Sequence, residues 1–443
     1  MKRSLLDTIG VGVVGSRTQI AAMVRRFAKQ QFAAGDDGPR ARLLFDGAEV
    51  SPFGAAMAGA FTIDSIDAHD GSSAVKGHAG SAVLPGVLAV ADDLRRRGLT
   101  FTGKDLLTAM AVGYETAYRS GLALHATVDD YHTSGAWTAV GVAAAGSRML
   151  DLGDDALHHA IGIAEYHGPR SQMMRCIDHP TMVRDGVGWG APAGVGAVYL
   201  AAMGFTGAPA VTVTSGEAAS FWSDLGQRWE ILNTHYKRYP VCRWAHPAID
   251  AARNLMQAHR LTSAEVKSVR IRTFGYAARL AGHEPRNLDE LTYALAFPVA
   301  IMIARGQIGV PELAPETLRD AEILRISRAT RIEETEHYTR ISVGKRWADV
   351  TLYLKDGGCV ESEPCSPKGD PQDPLSDVEI SDKFHLFADP VLGVERSLEV
   401  EMRVNDIDTK RADMDRLLDL LHAPQLGEET NRRSDGPADR LMG

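Results

Sequence analysis

The sequence lacks the features that mark several common classes of protein. Its 443 residues include only four cysteines, and these form no CxxC pair, which argues against a structural zinc site or a disulfide scaffold and favours reduced thiols. Aromatic residues make up 7% of the chain, and the formal charge of -9 provides no broad attraction to nucleic acid or to an anionic membrane. The apolar-looking run at residues 188–205 consists largely of glycine and alanine and reaches only the low end of a membrane span. We expect no nucleic-acid partner and no membrane partner.

Targeting and cofactor motifs are also missing. The N-terminus reaches Asp7 before the apolar core of a signal peptide develops, so we expect a cytoplasmic protein. No motif for nicotinamide, flavin or pyridoxal phosphate is present, and the glycine-rich residues 182–191 lack the GxGxxG spacing and a preceding strand. The sequence therefore predicts a protein without a cofactor.

The apolar fraction of 44% predicts substantial cores, and its pattern changes along the chain. Small and aliphatic residues recur with a period of three to four up to about residue 250, which predicts helices at 53–60, 82–97, 104–124, 137–150, 155–164 and 191–203. Alternating residues then predict strands at 266–273, 340–343 and 348–354, with helices at 290–305 and 316–327 between them. A loop at 363–377 precedes helical segments at 383–387 and 411–421. We predict a mainly α protein with an α+β second domain: a helical domain over 1–248, an α+β domain over 249–378, and a segment at 379–443 that returns to the helical domain and ends in a frayed tail.

The polar segment at residues 67–80 is the strongest candidate for chemistry. It places Asp67, His69, Asp70, Lys76 and His78 among glycines directly before an apolar helix. Aspartate and histidine suit proton transfer, and a glycine-rich loop allows backbone and polar groups to converge on a ligand. The same residue types bind metals, but their spacing matches no compact metal motif, so we predict no metal. A solvated or capping loop is the alternative without function.

Two further segments place one charged or titratable residue at the start of a helix. Residues 131–135 hold His132 among hydroxyl groups, where it can bind an anion or transfer a proton, although a simple capping segment explains the pattern equally well. Residues 182–191 hold Arg184, which can bind a carboxylate bidentately or form an ordinary surface ion pair.

Residues 236–247 place several cations among aromatic residues at the boundary of the two predicted domains. Lys237, Arg238 and His246 there are candidates for binding an anionic substrate, since sites commonly lie between domains. An interdomain hinge packed by aromatic side chains is the alternative. Cys242 is a candidate nucleophile, but thiols are often simply buried.

Taken together, these segments resemble the MmgE/PrpD family, which includes 2-methylcitrate dehydratase, cis-aconitate decarboxylase and iminodisuccinate epimerase. The resemblance covers nearly the whole chain in one order, although no single motif is specific. It is carried by LLDTIGVG at 5–12, the loop at 67–78 with VLP at 83–85, AVGYE at 111–115, YHTSG at 131–135, AIGIA at 160–164, GFTG at 204–207 and KRYP at 237–240.

The resemblance implies a large helical domain, a smaller α+β lid, a site between them and a homodimer. It also implies catalytic roles for Asp67 or Asp70, for His78 and for His132, and a role for Lys237 in the site. The family's first helix is expected to precede residues 5–7, where this chain has only a few residues.

Four positions depart from the family pattern and bear on substrate recognition or proton transfer. Ala79 follows His78 where a proline is expected, and Arg184 stands for a lysine. Cys242 stands where some members have a histidine, and Phe297 where a tyrosine is common.

These residues predict a cofactor-independent lyase that acts next to a substrate carboxylate. Cations such as Lys237, Arg184 and Arg238 would neutralise the acid, while His132 and His78 transfer protons and Asp67 or Asp70 orients one imidazole. We expect dehydration of a hydroxylated di- or tricarboxylate such as 2-methylcitrate. An epimerase or a decarboxylase on the same scaffold is the alternative, followed by an inactive carboxylate-binding relative and, last, a metal-dependent hydrolase.

Overall fold

The computed structural model describes residues 1–280 and 282–425. Its helices are α1 Lys2–Gly15, α2 Gln19–Gln31, α3 Pro52–Asp64, α4 Gly80–Arg96, α5 Gly103–Thr127, α6 Gly135–Met149, α7 Asp154–His167, α8 Met173–Asp178, α9 Val187–Ala202, α10 Val211–Thr214, α11 His246–Ala258, α12 Gly275–Ala278, α13 Leu288–Thr292, α14 Ala296–Arg305, α15 Ala321–Arg328, α16 Glu336–Ile341, α17 Asp377–Leu392, α18 Val394–Asp406 and α19 Met414–His422. Its strands are β1 Ala41–Arg42, β2 Glu49–Val50, β3 Gly71–Ser72, β4 Thr234–His235, β5 Val266–Thr273, β6 Thr330–Glu334, β7 Ala348–Leu354 and β8 Cys359–Glu361. Short 3-10 turns connect several of these elements. This composition confirms the predicted fold class.

The helical part is held together by close approach between helices rich in small residues. Helix α6 packs between α5 and α9, and α3 packs against α4 and α9. A Cβ atom added to Gly141 of α6 would lie 2.3 Å from the backbone oxygen of Gly113 in α5, so only glycine permits this helix contact. Over the described residues, none of the helices combines the length and the apolar character needed to cross a membrane.

The α+β part is built on one four-stranded sheet in the order β6-β5-β7-β8. Strands β5 and β6 are parallel, and the pairs β5–β7 and β7–β8 are antiparallel. Helices α11, α14 and α15 pack beside this sheet, and their apolar faces share one core with it.

The buried apolar residues form two main cores. The larger core joins α1, α3, α4, α5 and α6 to the C-terminal helices α17, α18 and α19, as expected for a segment that returns to the helical part. The second core contains the sheet and its helices, together with Met173, Cys176 and Ile177 of α8. The exact boundaries at residues 248 and 378 stay predictions, and most of the predicted frayed tail lies outside the described residues.

Two local predictions are wrong. Residues 340–343 were expected to form a strand but lie at the end of α16, because Thr335 caps this helix and accepts a hydrogen bond from the Tyr338 backbone N-H at 3.2 Å. The single helix expected at 290–305 is split into α13 and α14. Pro298 has no N-H to donate to the carbonyl of residue 294, which removes one of the hydrogen bonds that would join the two segments into one helix.

Lys383 of α17 links the C-terminal segment to the start of the chain. Its ammonium group lies 2.7 Å from the carboxylate of Asp7 in α1 and 2.8 Å from the backbone oxygen of Ala68, and both charged side chains are buried. A buried ion pair is costly to break, because the remaining charge then has no partner.

We therefore expect Lys383→Met to lower the free energy of unfolding by about 3–5 kcal/mol, measured by denaturant titration at pH 7. Combining it with Asp7→Asn removes the unpaired carboxylate and should recover most of the loss. Equal destabilisation in the single and double variants would contradict this assignment.

Candidate active site

The loop between α3 and α4 is held in an uncommon backbone conformation. Asp67 and Lys76 have positive φ angles of 50° and 56°, and Arg184, across from this loop, has a φ of 48°. Non-glycine residues in the left-handed region cost about 1–3 kcal/mol when the surrounding structure imposes that conformation, and such residues cluster at functional sites. Three of the residues singled out from the sequence therefore occupy strained positions.

Asp67 and Lys237 form a buried ion pair. The Lys237 ammonium group donates to the Asp67 carboxylate at 2.5 Å and to its backbone oxygen at 2.8 Å. Lys237 is fully buried and Asp67 is 2% exposed. The structure thus brings two predicted site residues together, and the positive charge of Lys237 is already neutralised by a protein carboxylate.

The hydrogen bonds of His78 determine its tautomer. Its Nδ1 lies 2.6 Å from the backbone oxygen of Asp70, which can only accept, so Nδ1 carries the hydrogen and Nε2 has a free lone pair. Burial, with the nearby charge of Lys237, holds the pKa of His78 well below its usual value. The ring of His69 packs edge-on at 4.3 Å between centroids. His78 is therefore a neutral imidazole that accepts a hydrogen bond or a proton at Nε2.

Asp70 supports His78 through its backbone rather than through its carboxylate. The carboxylate accepts hydrogen bonds from the Tyr114 hydroxyl at 2.8 Å and from the Gly80 backbone N-H at 3.2 Å. Burial, and secondarily the charge of Asp7, raises the pKa of Asp70 to about 7. Asp70 therefore contacts the His78 imidazole through its backbone oxygen alone.

A chain of buried polar groups continues behind His78. The backbone N-H of His78 donates to the Ser134 hydroxyl at 2.9 Å, and the Ser134 hydroxyl donates to the carboxylate of Asp185. The Asp185 backbone N-H donates to Asp64 at 3.2 Å, and Asp64 lies 3.0 Å from Nε2 of His69. Burial, with the nearby charge of Asp64, raises the pKa of Asp185 to about 8. This network fixes the start of α6 and the loop relative to each other.

His235 is a second imidazole beside His78 that the sequence analysis did not single out. Strand β4 pairs with β3 so that His235 lies opposite Gly71, and the His78 and His235 rings are 6.4 Å apart and nearly perpendicular. His235 is 3% exposed, and its Nε2 has no hydrogen-bond partner among the described residues. Burial, then the nearby charge of Arg243, holds its pKa well below the usual value.

The α+β part contributes Arg346, Trp244 and Tyr293. The Arg346 guanidinium lies above the Phe274 ring, at 5.9 Å from its centroid, and donates to the backbone oxygen of Ser73 in the loop at 3.3 Å. Tyr293 lies four residues before Phe297, the position where a tyrosine was expected, and Phe297 is fully buried in the second core.

These groups enclose a cavity of about 30 Å³, which has space for a few water molecules at most. Its polar lining includes Asp67, Lys76, His78, Tyr131, His235, Arg243, Tyr293 and Arg346, with Cys242, Met173 and Trp244 between them. A larger outer cavity of about 540 Å³ lies next to it and shares Lys76, Trp244 and Arg346. The described conformation is closed, so a larger ligand requires the lining to open.

The positive charges around the inner cavity exceed the negative ones. Asp67 is paired with Lys237, and Arg243 is paired with Asp370 at 2.7 Å. Over residues 1–280 and 282–425, neither Lys76 nor Arg346 forms an ion pair with a carboxylate. Lys76 contacts only the aromatic faces of Tyr131 and Tyr276, while Arg346 donates to backbone oxygens.

Both unpaired cations are taken partly or largely out of water. Arg346 is 5% exposed, and Lys76 is half-buried. Burial, reinforced by the charge of Arg346, lowers the pKa of Lys76. A cavity with such a surplus of positive charge favours an anion.

Six predicted site residues lie outside the lining of this cavity: Asp70 and Lys237, described above, and Arg184, Arg238, His246 and His132. Arg184 is buried and pairs with Asp289 of α13 at 3.0 Å, which links the two parts of the chain. Arg238 lies 3.3 Å from Glu379, and His246 lies 3.1 Å from the backbone oxygen of Val241. His132 packs against His125, and its Nδ1 lies 2.7 Å from the backbone oxygen of Asp130. Its neighbours Tyr131 and Ser134, rather than His132 itself, reach the site.

Asp67, His69 and His78 are close enough to suggest a metal site, since their ligand atoms lie within 4.8 Å of one another. Two of the three are already engaged. Asp67 accepts from Lys237, and His69 Nε2 faces Asp64. A metal would have to displace an ammonium group and a carboxylate contact, so these residues do not fit an ion well.

Cys242 lines the cavity but is a poor nucleophile in this state. It is buried, and burial raises its pKa to about 12, so the thiol stays protonated near neutral pH. This favours the interpretation of Cys242 as a packing residue.

Two domain profiles from known proteins match most of the chain. The MmgE/PrpD N-terminal domain matches residues 1–223, and the MmgE/PrpD C-terminal domain matches residues 239–407. The chain belongs to the MmgE/PrpD family. The predicted family is therefore confirmed, and the two matches correspond to the helical part and to the α+β part with the first helices of the C-terminal segment.

Curated members of the MmgE/PrpD family are similar over nearly their whole length. The cis-aconitate decarboxylase-like protein oryM of Aspergillus oryzae is 26% identical over 95% of this chain and 92% of its own length. The cis-aconitate decarboxylases of Aspergillus terreus and Homo sapiens are 23% and 24% identical, over 96% and 92% of this chain and 91% and 87% of their own lengths. The chain therefore has a scaffold of the dehydratase and decarboxylase type.

His78 lines the cavity and His132 does not, so we expect substitutions of these two histidines to affect turnover differently. His78→Gln removes a cavity-lining imidazole and should lower lyase turnover about 100-fold or more, as expected for loss of a group in proton transfer. His132→Gln should retain turnover near the wild-type value, because the ring lies against His125 outside the lining. Turnover is measured by NMR, with circular dichroism to verify folding. Equal losses in both variants would restore the role predicted for His132 from the sequence.

Proposed function

We propose that this MmgE/PrpD protein is a cofactor-independent lyase that decarboxylates a small unsaturated tricarboxylate such as cis-aconitate. The observation that carries this proposal is the pair of unpaired cations, Lys76 and Arg346, on one closed cavity with two neutral imidazoles. Dehydration of 2-methylcitrate, which the sequence analysis favoured, becomes the second candidate.

The charges support a substrate with more than one carboxylate. The excess of two cations would be neutralised by two carboxylates, and each charge-assisted hydrogen bond would contribute about 1.5–3 kcal/mol. A third carboxylate can then leave as carbon dioxide. The sequence prediction gave the carboxylate contacts to Lys237, Arg184 and Arg238 and also named Lys76 as a substrate-binding residue. We keep Lys76 and add Arg346, because the other three cations already have protein carboxylates as partners.

Decarboxylation requires stabilisation of an anion and one proton donor, and the cavity has groups suited to both. The bond between the carboxylate carbon and its neighbour breaks, and its electron pair stays behind as an allylic carbanion next to a remaining carboxylate. Fixed positive groups in a water-poor site stabilise such an anion. A proton donor then completes the reaction, with no electron acceptor required.

The similar proteins support the choice of decarboxylation. Those described above are named for cis-aconitate decarboxylation, although identities near 25% leave room for a different substrate. The neighbouring imidazoles of His78 and His235 support the second candidate, because dehydration needs both a base for the carbon-bound proton and an acid for the hydroxyl group. Epimerisation would use the same two groups.

We expect NMR in deuterium oxide to distinguish these reactions in one experiment. Incubation with cis-aconitate should give carbon dioxide and an unsaturated dicarboxylate that carries one deuterium on carbon. Citrate, 2-methylcitrate and iminodisuccinate serve as parallel substrates. Turnover of 2-methylcitrate with loss of water and without carbon dioxide would overturn the decarboxylase proposal in favour of the second candidate, and hydrogen exchange alone would favour an epimerase.

Removal of either unpaired cation should weaken substrate binding more than it slows the chemical step. We expect Lys76→Met and Arg346→Gln each to raise KM about 10- to 100-fold, because each removes one charge-assisted contact. Arg340→Gln, which changes an exposed arginine on α16, is the matched control and should leave KM unchanged. Unchanged KM in both cavity variants would remove the anion site from the proposal.

The predicted homodimer and cytoplasmic location accompany this proposal as predictions from the sequence.

A further inference from the structure

His235 is placed between the loop and a buried carboxylate. Its Nδ1 lies 3.9 Å from a carboxylate oxygen of Asp370 and 3.5 Å from the Ser73 hydroxyl. Its Nε2, on the other side of the ring, has no partner among the described residues and is directed toward Gly71. A buried polar atom without a partner is uncommon in a folded protein and requires an explanation.

The absence of a side chain at position 71 allows the two imidazoles to approach each other. A Cβ atom added to Gly71 would lie 2.5 Å from Nδ1 of His78 and 3.0 Å from Nε2 of His235. The nitrogen of His78 nearest to this point is the Nδ1 that the backbone oxygen of Asp70 holds, and both rings line the inner cavity.

The two imidazoles differ in the groups behind them. His78 is backed by a neutral carbonyl, and the Asp67 carboxylate, which lies within 4.8 Å of one of its ring nitrogens, is already paired with Lys237. His235 has Asp370 on its Nδ1 side, and the second oxygen of Asp370 has no hydrogen-bond partner within the described chain. A carboxylate behind an imidazole stabilises the imidazolium form.

We propose that His235 is the catalytic acid of this site. This inference rests on the proposed lyase function and assigns its proton donor. The substrate carboxylates would supply negative charge, and His235 would take one proton from solvent as the substrate binds. After the carboxylate leaves as carbon dioxide, the Nε2-H bond of His235 breaks, its proton forms the new C-H bond at the carbanion, and the imidazole returns to its neutral form.

The charged groups around His235 explain why a ligand is needed. Arg243, Lys237, Arg346 and the imidazole of His78 all disfavour a proton on the ring. The nearest oxygen of Asp370 lies 3.9 Å from Nδ1 and already pairs with Arg243. An anion held by Lys76 and Arg346 adds negative charge near the ring and so favours the protonated form of His235. Ligand binding should therefore be coupled to proton uptake, and affinity should rise as the pH falls.

Proton uptake can be measured without turnover. Tricarballylate, a saturated tricarboxylate without the double bond, is titrated into the protein by calorimetry in two buffers with different ionisation enthalpies at pH 7.5. We expect wild-type protein to take up about one proton per ligand and His235→Gln to take up almost none. His259→Gln, at an exposed histidine after α11, is the matched control and should retain the uptake.

The result separates the two proposals. If the wild-type protein binds tricarballylate with proton uptake but converts none of the four acids, the decarboxylation proposal fails and the assignment of the proton to His235 stands. Binding without proton uptake, or uptake that persists in His235→Gln, would overturn the role of His235. If wild-type protein does not bind tricarballylate, both the anion site and this inference fail.

Kinetics give an independent readout if turnover is found. We expect His235→Gln to lower kcat about 100-fold or more with a small change in KM. Asp370→Asn should move the alkaline loss of kcat about one pH unit lower, because the imidazolium loses its carboxylate. If His235→Gln does not fold, this pH profile decides the question, and an unshifted profile in Asp370→Asn would overturn the proposal.

Discussion

A buried cation is costly unless an opposite charge lies beside it, and in the described part of the chain the cations of this site satisfy that constraint with two exceptions. Asp67 pairs with Lys237, Arg243 with Asp370, and Arg184 with Asp289. Lys76 and Arg346 have no carboxylate partner in the described part of the chain. The pairs hold the site together, whereas the exceptions give it a preference for anions. The ligand-free protein thus lacks negative charge at these two positions, and an anionic ligand would supply it.

The same constraint connects the fold to the reaction. The cavity is closed by residues from both cores, since Asp67 and His78 come from the helical part and Trp244, Tyr293 and Arg346 from the part that contains the sheet. With space for only a few water molecules, the closed state excludes solvent, and this strengthens the attraction between fixed cations and a developing carbanion. Substrate entry requires the lining to open, and Lys76, Trp244 and Arg346 line both this cavity and the outer one.

Sequence patterns predicted most of the fold because they report local burial. Helices α4, α5 and α6 and strands β5 and β7 follow from the spacing of apolar residues. The error at residues 340–343 arose because a short segment with alternating polarity also fits one helical turn, and only the Thr335 cap decides between the two.

The site was predicted in part. The loop with Asp67, Lys76 and His78 was visible because its charges are concentrated in a few positions. His235 lies two residues before the KRYP segment, and its position beside these cations was a signal in the sequence that could have included it. Arg346 had no such signal in the sequence. Arg346 and Lys76 are informative because they lack carboxylate partners, and this depends on the positions of residues far apart in the chain. Arg184 and Arg238 were predicted to bind substrate because their carboxylate partners, Asp289 and Glu379, are distant in sequence and could not be recognised there.

Lys76 offers the most direct test, because its ammonium group makes no hydrogen bond to any described residue and its removal leaves no protein group unpaired. The measurement is the free energy of unfolding of wild-type and Lys76→Met protein, each with and without saturating tricarballylate. The account predicts that the ligand-free variant is at least as stable as the wild type and that it loses most of the stabilisation by the ligand. A ligand-free variant that is clearly less stable, yet is stabilised by tricarballylate as strongly as the wild type, would contradict it.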